Sequence, residues 1–130
     1  KFLINKKAIN IHMGVSPYYK GSSCNFWALY DRNINMIGST IHYLSAKLDG
    51  GDMIMNVYPK KTYKSGFDFT MRSVLDTHNT LFNLIKSRKL FKIKPKIQIS
   101  TKNIRITKKK EFNQKVIKNF FKDKKNIIKY

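Results

Sequence analysis

Three short apolar-rich stretches fall within the first sixty residues, each closed by turn-forming residues. Residues 8–12 alternate and are rich in Ile, a two-residue period that predicts a strand. Residues 13–21 carry Gly, Pro and Ser and read as a loop. Ser22 or Ser23 is placed to cap a helix that runs through Phe26, Trp27 and Tyr30 and stops near Asn33. Residues 36–44 predict a second strand, with Thr40 and His42 on one face and Ile37, Ile41 and Tyr43 on the other. A loop built around Gly50 and Gly51 occupies residues 45–52, and residues 53–58 form a third strand closed by Pro59.

Residues 66–87 hold the clearest helical period. Met71, Val74, Leu75, His78, Leu81, Phe82 and Ile85 recur at three- and four-residue spacing and predict one apolar face. His78, on that face, reads as a packed core histidine. Asp68 near the start and Lys86 and Arg88 near the end suit the helix dipole. Beyond Lys89 come two extended pieces, residues 96–99 and 104–107, then an amphipathic helix over residues 111–121 and a basic tail. Strand, helix, strand, strand, helix is a mixed α/β order, and no internal repeat interrupts it. A first strand so near Lys1 has few partners, so part of the sheet is expected to lie outside these residues.

Composition narrows the class. The 130 residues suffice for at most one ordinary domain, and a 42% hydrophobic content is enough for a core. No run of about 18 apolar residues suggests a membrane span, and Lys6 and Lys7 break the first stretch in a way unlike a secretory leader. Cys24 is the single cysteine, which excludes an internal disulfide and makes a reducing, cytoplasmic setting the default expectation. The net charge of +20 invites a nucleic-acid reading. Its distribution tempers that: residues 1–59 hold six Lys/Arg against three acids, residues 60–130 hold 21 against four. The cations are 23 Lys and only four Arg, alongside 16 Ile and 12 Asn, as AT-biased coding would produce. Arg supplies the planar forks that read bases and clamp phosphates. A polyanion site and compositional drift therefore both stand, and non-specific attraction to nucleic acid at low salt follows from either.

Asn10 and His12 are two residues apart on the first strand, so their side chains leave the same face. They also sit at its C-terminal end, where open α/β sheets place their sites. An amide donor beside an imidazole suits acyl transfer, the amide holding a developing oxyanion while the imidazole donates or moves a proton. Asp49, in the Gly-rich loop, can bias the histidine toward its protonated form or relay protons through water. From spacing alone, Asn-x-His at a strand end is more often a structural pair. Cys24 and Trp27 read as core, Asp52 as a turn former or second acid, and residues 18–20 as an exposed loop or an acceptor contact. No His-x₃-His or Cys-x₂-Cys spacing suggests a metal.

The surroundings of the pair add a resemblance. Asn10-Ile11-His12, followed by Pro17 and Tyr18-Tyr19-Lys20-Gly21, resembles the signature of the folate-dependent formyltransferases, which include glycinamide ribonucleotide, methionyl-tRNA and sugar N-formyltransferases. Gly38-Ser39-Thr40-Ile41-His42 looks like the family's Gly-x-Thr strand with its downstream histidine. Leu48-Asp49-Gly50-Gly51-Asp52 looks like its Leu-Asp-x-Gly loop. The three blocks fall in order within residues 8–59.

The resemblance implies a Rossmann-like open sheet flanked by helices, of which this chain would hold the C-terminal half. Residues 1–90 would be the catalytic part and residues 91–130 a basic extended and helical extension. It gives Asn10, His12 and Asp49 catalytic roles and places His42, Leu48, Gly50, Gly51 and Asp52 near the folate. The donor would be 10-formyltetrahydrofolate and the acceptor a primary amine. A nucleotide-linked amino sugar or other small amine is favoured by the unfused tail around residues 109–113. Methionyl-tRNA is the competitor because of the basic half. Family members carry a nucleotide-binding-like half before the Asn-x-His strand, whereas nine residues precede Asn10 here. The isolated chain is accordingly expected to turn over poorly. The opposing reading is a non-catalytic formyltransferase relic or a basic nucleic-acid-associated protein.

Overall fold

The computed structural model describes residues 1–60 and 65–123. A first helical turn, α1 (Phe2–Asn5), leads into β1 (Ile9–His12), then β2 (Tyr19–Gly21) and α2 (Cys24–Tyr30). After a 3₁₀ turn come β3 (Ser39–Tyr43), β4 (Met53–Val57) and the long α3 (Gly66–Lys86); two further 3₁₀ turns separate α3 from β5 (Arg105–Thr107), and another precedes α4 (Gln114–Lys122). The basic tail beyond α4 lies outside the described residues. β1, β3 and β4 form one open sheet in the order β1-β3-β4, every neighbour antiparallel, while β2 and β5 pair in parallel. The architecture is the mixed, open α/β arrangement that the element order predicts, although the three strands of this part of the sheet run antiparallel.

β3 is the central strand, and its alternation decides what goes inside. Ile41 is fully buried and packs with Ile54, Val57 and Leu90, with Tyr43 and Leu84 against them. Ile37 does not extend this face. It lies just before the strand, after a 3₁₀ turn, and joins a second cluster with Tyr19, Cys24, Trp27, Ala28, Leu29 and Phe69. Trp27 and Cys24 are thus core residues, as their positions suggested. α4 and the turn before it close this cluster: Phe26 meets Phe112 from the turn and Phe120 from α4, with ring centroids 4.8 and 5.2 Å apart.

Two helix starts differ from the sequence reading. Ser23 does stand at the N-cap of α2, but in a left-handed conformation (φ 59°) and with no side-chain cap hydrogen bond. α4 begins later than expected, because Asn113 takes the N-cap and accepts the Val116 N–H at 3.1 Å. Ser65 caps α3 by accepting the Asp68 N–H at 3.1 Å, and α3 keeps nearly the predicted length.

The orientation of α3 overturns the expected inward face. Phe69, Ser73 and Thr77 are buried, whereas Met71, Leu75, Phe82 and Ile85 are about half exposed or more and His78 faces solvent. Small polar side chains let the helix approach the sheet closely and are hydrogen-bonded there. Ser73 Oγ accepts from Asn25 Nδ2 at 3.1 Å and lies 3.2 Å from Ser39 Oγ, and Thr77 Oγ1 donates to the Ser73 carbonyl at 2.6 Å. His78 satisfies its Nδ1 on the Val74 carbonyl one turn back, at 2.8 Å, instead of packing in a core. Only Leu81 and Leu84 carry the apolar seam into the sheet cluster.

Candidate active site

The β1–β3 register sets Asn10 opposite His42 and His12 opposite Thr40. Because side chains alternate along a strand, these four share one face. The pairing is direct: Asn10 Nδ2 lies 3.1 Å from His42 Nε2, and His42 Nδ1 lies 2.8 Å from the Tyr43 carbonyl oxygen. A carbonyl only accepts, so Nδ1 carries the His42 proton and Nε2 accepts from the Asn10 amide. One Asn10 N–H is used in this way, and the other remains to be offered to a ligand.

His12 is buried between two acceptors. Its Nε2 lies 2.9 Å from the Tyr19 carbonyl, and its Nδ1 lies 3.4 Å from Asp49 Oδ2. The same Asp49 oxygen accepts the Gly21 N–H at 2.8 Å. The three-residue strand β2 therefore orients both partners, by a carbonyl on one side and an N–H on the other. Gly14 leaves room for the ring, since a Cβ there would come within 2.6 Å of His12 Nε2 and 2.5 Å of Cys24 Cβ.

Burial sets the electrostatics. It pushes the His12 pKa below 6.5, and the nearby Asp49 carboxylate only partly restores it. Asp49 thus pulls the histidine toward its protonated form, as expected, but desolvation outweighs the pull. Lys20, mostly buried, is also shifted down by desolvation, with Asp49 opposing. Burial pushes the Cys24 thiol up to about 12, so it is no nucleophile at neutral pH.

The remaining loop residues spread out around this centre. Leu48 is 61% exposed beside Asp49, and Asp52 is exposed while its carbonyl accepts the Tyr43 N–H at 2.9 Å. Gly51 is buried, and a Cβ on it would strike the Tyr43 carbonyl and come within 3.2 Å of His42 Nδ1. Tyr19, whose carbonyl meets His12, is held by its own hydroxyl, which donates to Asp31 Oδ2 at 3.1 Å and accepts from Asn33 at 2.8 Å. Arg105 clasps the same Asp31 carboxylate through two nitrogens, at 2.9 and 2.5 Å, and stacks over the Trp27 ring at 4.6 Å. Tyr19, Gly21 and Thr40 lie within the blocks that carry the resemblance, but their supporting roles were not assigned from them, because Tyr19 and Gly21 act through backbone atoms. Gly21 also has a φ of 92°, which favours glycine. Among the described residues, no group of three or more His, Cys, Asp or Glu stands ready for a metal. No described helix is long and apolar enough to cross a membrane. A groove of about 660 Å³ along the end of α3, lined by residues such as Asn83, Leu84 and Lys89, shares no residue with this site.

A polar sheet face on which an amide, two imidazoles and a carboxylate converge, at a strand end of an open α/β fold, is the layout of a group-transfer site. Residues 3–85 match the formyl transferase family, and the chain belongs to it. Over 83 residues it is 30% identical to formyltetrahydrofolate deformylase 2, mitochondrial, of Arabidopsis thaliana, spanning 63% of this chain and 25% of that protein. Its fold is similar to that of a 4-N formyltransferase from Francisella tularensis (TM-score 0.67, 21% identity, 85% of this chain and 45% of that one). It is also similar to the formyltransferase PseJ from Anoxybacillus kamchatkensis (TM-score 0.63, 24% identity, 95% of this chain and 65% of that one). The chain thus spans about a quarter of the curated relative and less than two thirds of either solved chain.

Proposed function

We propose that this chain carries the chemistry of a formyl transfer from 10-formyltetrahydrofolate to a primary amine, with Asn10, His12 and Asp49 as the catalytic residues. The observation that carries the reading is the convergence of the Asn10 amide, the His12 ring and the Asp49 carboxylate on one polar face, in a chain of the formyl transferase family. In the proposed step the neutral amine attacks the formyl carbon and a C–N bond forms. The free Asn10 N–H stabilises the resulting oxyanion, and His12 joins it once the substrate draws its Nε2–H from the Tyr19 carbonyl. The bond from that carbon to the folate nitrogen then breaks, and the proton released by the amine passes through Asp49, directly or by water, to the departing nitrogen. His12 enters mainly neutral, because burial holds its pKa down, and the adjacent carboxylate stabilises the charge if it takes a proton.

For the donor, the proposed contacts are His42, Leu48, Gly50, Gly51 and Asp52. Leu48 offers exposed apolar surface beside Asp49, and Gly51 lets the loop lie against His42. The favoured acceptor is a nucleotide-linked amino sugar. The PseJ structure contains UDP-4,6-dideoxy-4-formamido-L-AltNAc and tetrahydrofolate, a formylated sugar nucleotide beside a folate. Methionyl-tRNA is the next acceptor, on the charge of the C-terminal half. The deformylase match favours a second reading in which water takes the place of the amine.

Binding of 10-formyltetrahydrofolate or a deaza analogue, followed by formyl transfer to a nucleotide-linked amino sugar, tests the proposal. Both are expected to depend on Asp49 and His12. Affinity that is absent, or unchanged in Asp49→Ala and His12→Ala, would favour a relic. Formate released without an acceptor would favour the hydrolytic reading.

A further inference from the structure

The family match ends at Ile85, yet the chain beyond it returns to the polar face. Lys96 exchanges two backbone hydrogen bonds with Met53, each 2.8 Å, at the start of β4. Two residues later the Gln98 side-chain amide donates to the Asp49 carbonyl at 2.8 Å and to the Gly51 carbonyl at 2.7 Å. Further on, Thr107 accepts the Ser22 N–H at 3.1 Å and donates its hydroxyl to the Ser22 carbonyl at 2.7 Å, which fixes the end of β2.

Asp49 is a residue that needs holding. Its φ of 43° lies in the left-handed region, which is unfavourable for a non-glycine residue, though less so for Asp than for most. Its carboxylate is fixed by the Gly21 N–H, and the Gly50 N–H closes the turn on the Lys47 carbonyl at 3.2 Å, but neither bond holds the Asp49 carbonyl. An amide side chain is well suited to holding it, because two N–H groups in a fixed fork reach two nearby carbonyls at once. Its orientation follows from the partners, because turning the amide over would set its oxygen against both carbonyls.

We propose that Gln98 is a positioning residue for Asp49, holding the carbonyls of Asp49 and Gly51 so that the Asp49 carboxylate stays against His12. The inference rests on the reading of the His12–Asp49 pair as the centre of the chemistry. It adds to that site a residue from beyond the family-matched segment.

The test is a pH titration of the His12 ring by NMR in the full chain. Resonances are assigned with His12→Gln, and each variant is checked for folding by thermal melting. Gln98→Ala removes the side chain, while Gln98→Met keeps its length and removes the amide, whose oxygen has no partner among the described residues. Ile99→Ala, at an exposed neighbour, serves as control. The charged or titratable groups facing His12 are Asp49, His42 and Lys20, and of these Asp49 alone pulls its pKa upward. Loosening the carboxylate is therefore expected to lower the His12 pKa in both Gln98 variants, with the control unchanged. A lower melting point with the His12 titration of the folded molecules unmoved would mean that Gln98 is merely structural, and overturns the proposal. If Gln98→Ala does not fold, Gln98→Met decides alone. Failure of the functional reading is read separately, as folate binding indifferent to Asp49→Ala.

Discussion

Replacing Thr40 by Val tests how the loop after His12 is tied to the sheet. Thr40 and Ser16 are both fully buried. Thr40 Oγ1 accepts the Ser16 N–H at 2.8 Å and lies 2.7 Å from the Gly14 carbonyl and 2.8 Å from Asn56 Oδ1. With one proton it donates to only one of these two at a time. Val has nearly the same shape, so the substitution opens no cavity and the change is polar. The Ser16 N–H is stranded where water does not reach, at about 1–3 kcal/mol. Losing the donor to Gly14 or Asn56 adds roughly 1 kcal/mol. The sum, about 2–4 kcal/mol, is a large part of the roughly 5–15 kcal/mol that stabilises an ordinary domain. Urea denaturation followed by tryptophan fluorescence reads it, since Trp27 is buried. For a slope of about 1.5 kcal/mol/M, the midpoint of Thr40→Val falls by about 1.3–2.7 M. Thr40→Ser keeps the hydroxyl, loses one methyl and costs about 1 kcal/mol. A Val variant within about 0.5 kcal/mol of the wild type, or no better tolerance of Ser, would refute the assignment of this cost to hydrogen bonding.

Other expectations concern pH, reactivity and packing. The His12 pKa is lower in the folded chain than its ordinary 6.5, so the unfolded chain takes up that proton first. The stability contributed by the neutral ring is present above pH 6.5 and is lost as pH falls through the folded value. The stability difference between wild type and His12→Asn should shrink from about pH 7.5 to about pH 5, and a flat difference in denaturation series would contradict it. Cys24, with its thiol pushed up to about 12, should resist iodoacetamide at neutral pH in the native chain and react on unfolding; rapid native labelling counts against the buried placement. Phe69→Ala, which empties a core position, should cost about 3–5 kcal/mol. Phe82→Ala should cost under about 1 kcal/mol, because that ring is 63% exposed. Equal losses in chemical denaturation would restore the opposite face of α3 to the core.

Local pattern marked β1, β3 and β4 as strands and α3 to within a residue or two, because side-chain periodicity reflects backbone geometry directly. It missed β2, which reads as loop, because Tyr19–Gly21 becomes a strand only by pairing with the distant β5. Two-residue spacing also placed Asn10 with His12 and Thr40 with His42. Periodicity could not say which side of α3 turns inward. Six apolar positions and a histidine argued for one face, yet hydrogen-bonded Ser73 and Thr77 give the closer approach and took the other. Nor could spacing place the His12 ring between the Tyr19 carbonyl and Asp49, or carry Gln98 and Arg105 back to the turn and strand that hold the pair. Those partners are backbone atoms, or side chains far apart in the chain, and a backbone carbonyl leaves no mark in the sequence. What the chain wrote plainly was the chemistry it carries on one strand face. The orientation of that chemistry was decided only when β2, the Gly-rich turn and the C-terminal segment closed around it, because hydrogen-bond geometry exists only between groups that folding has brought together.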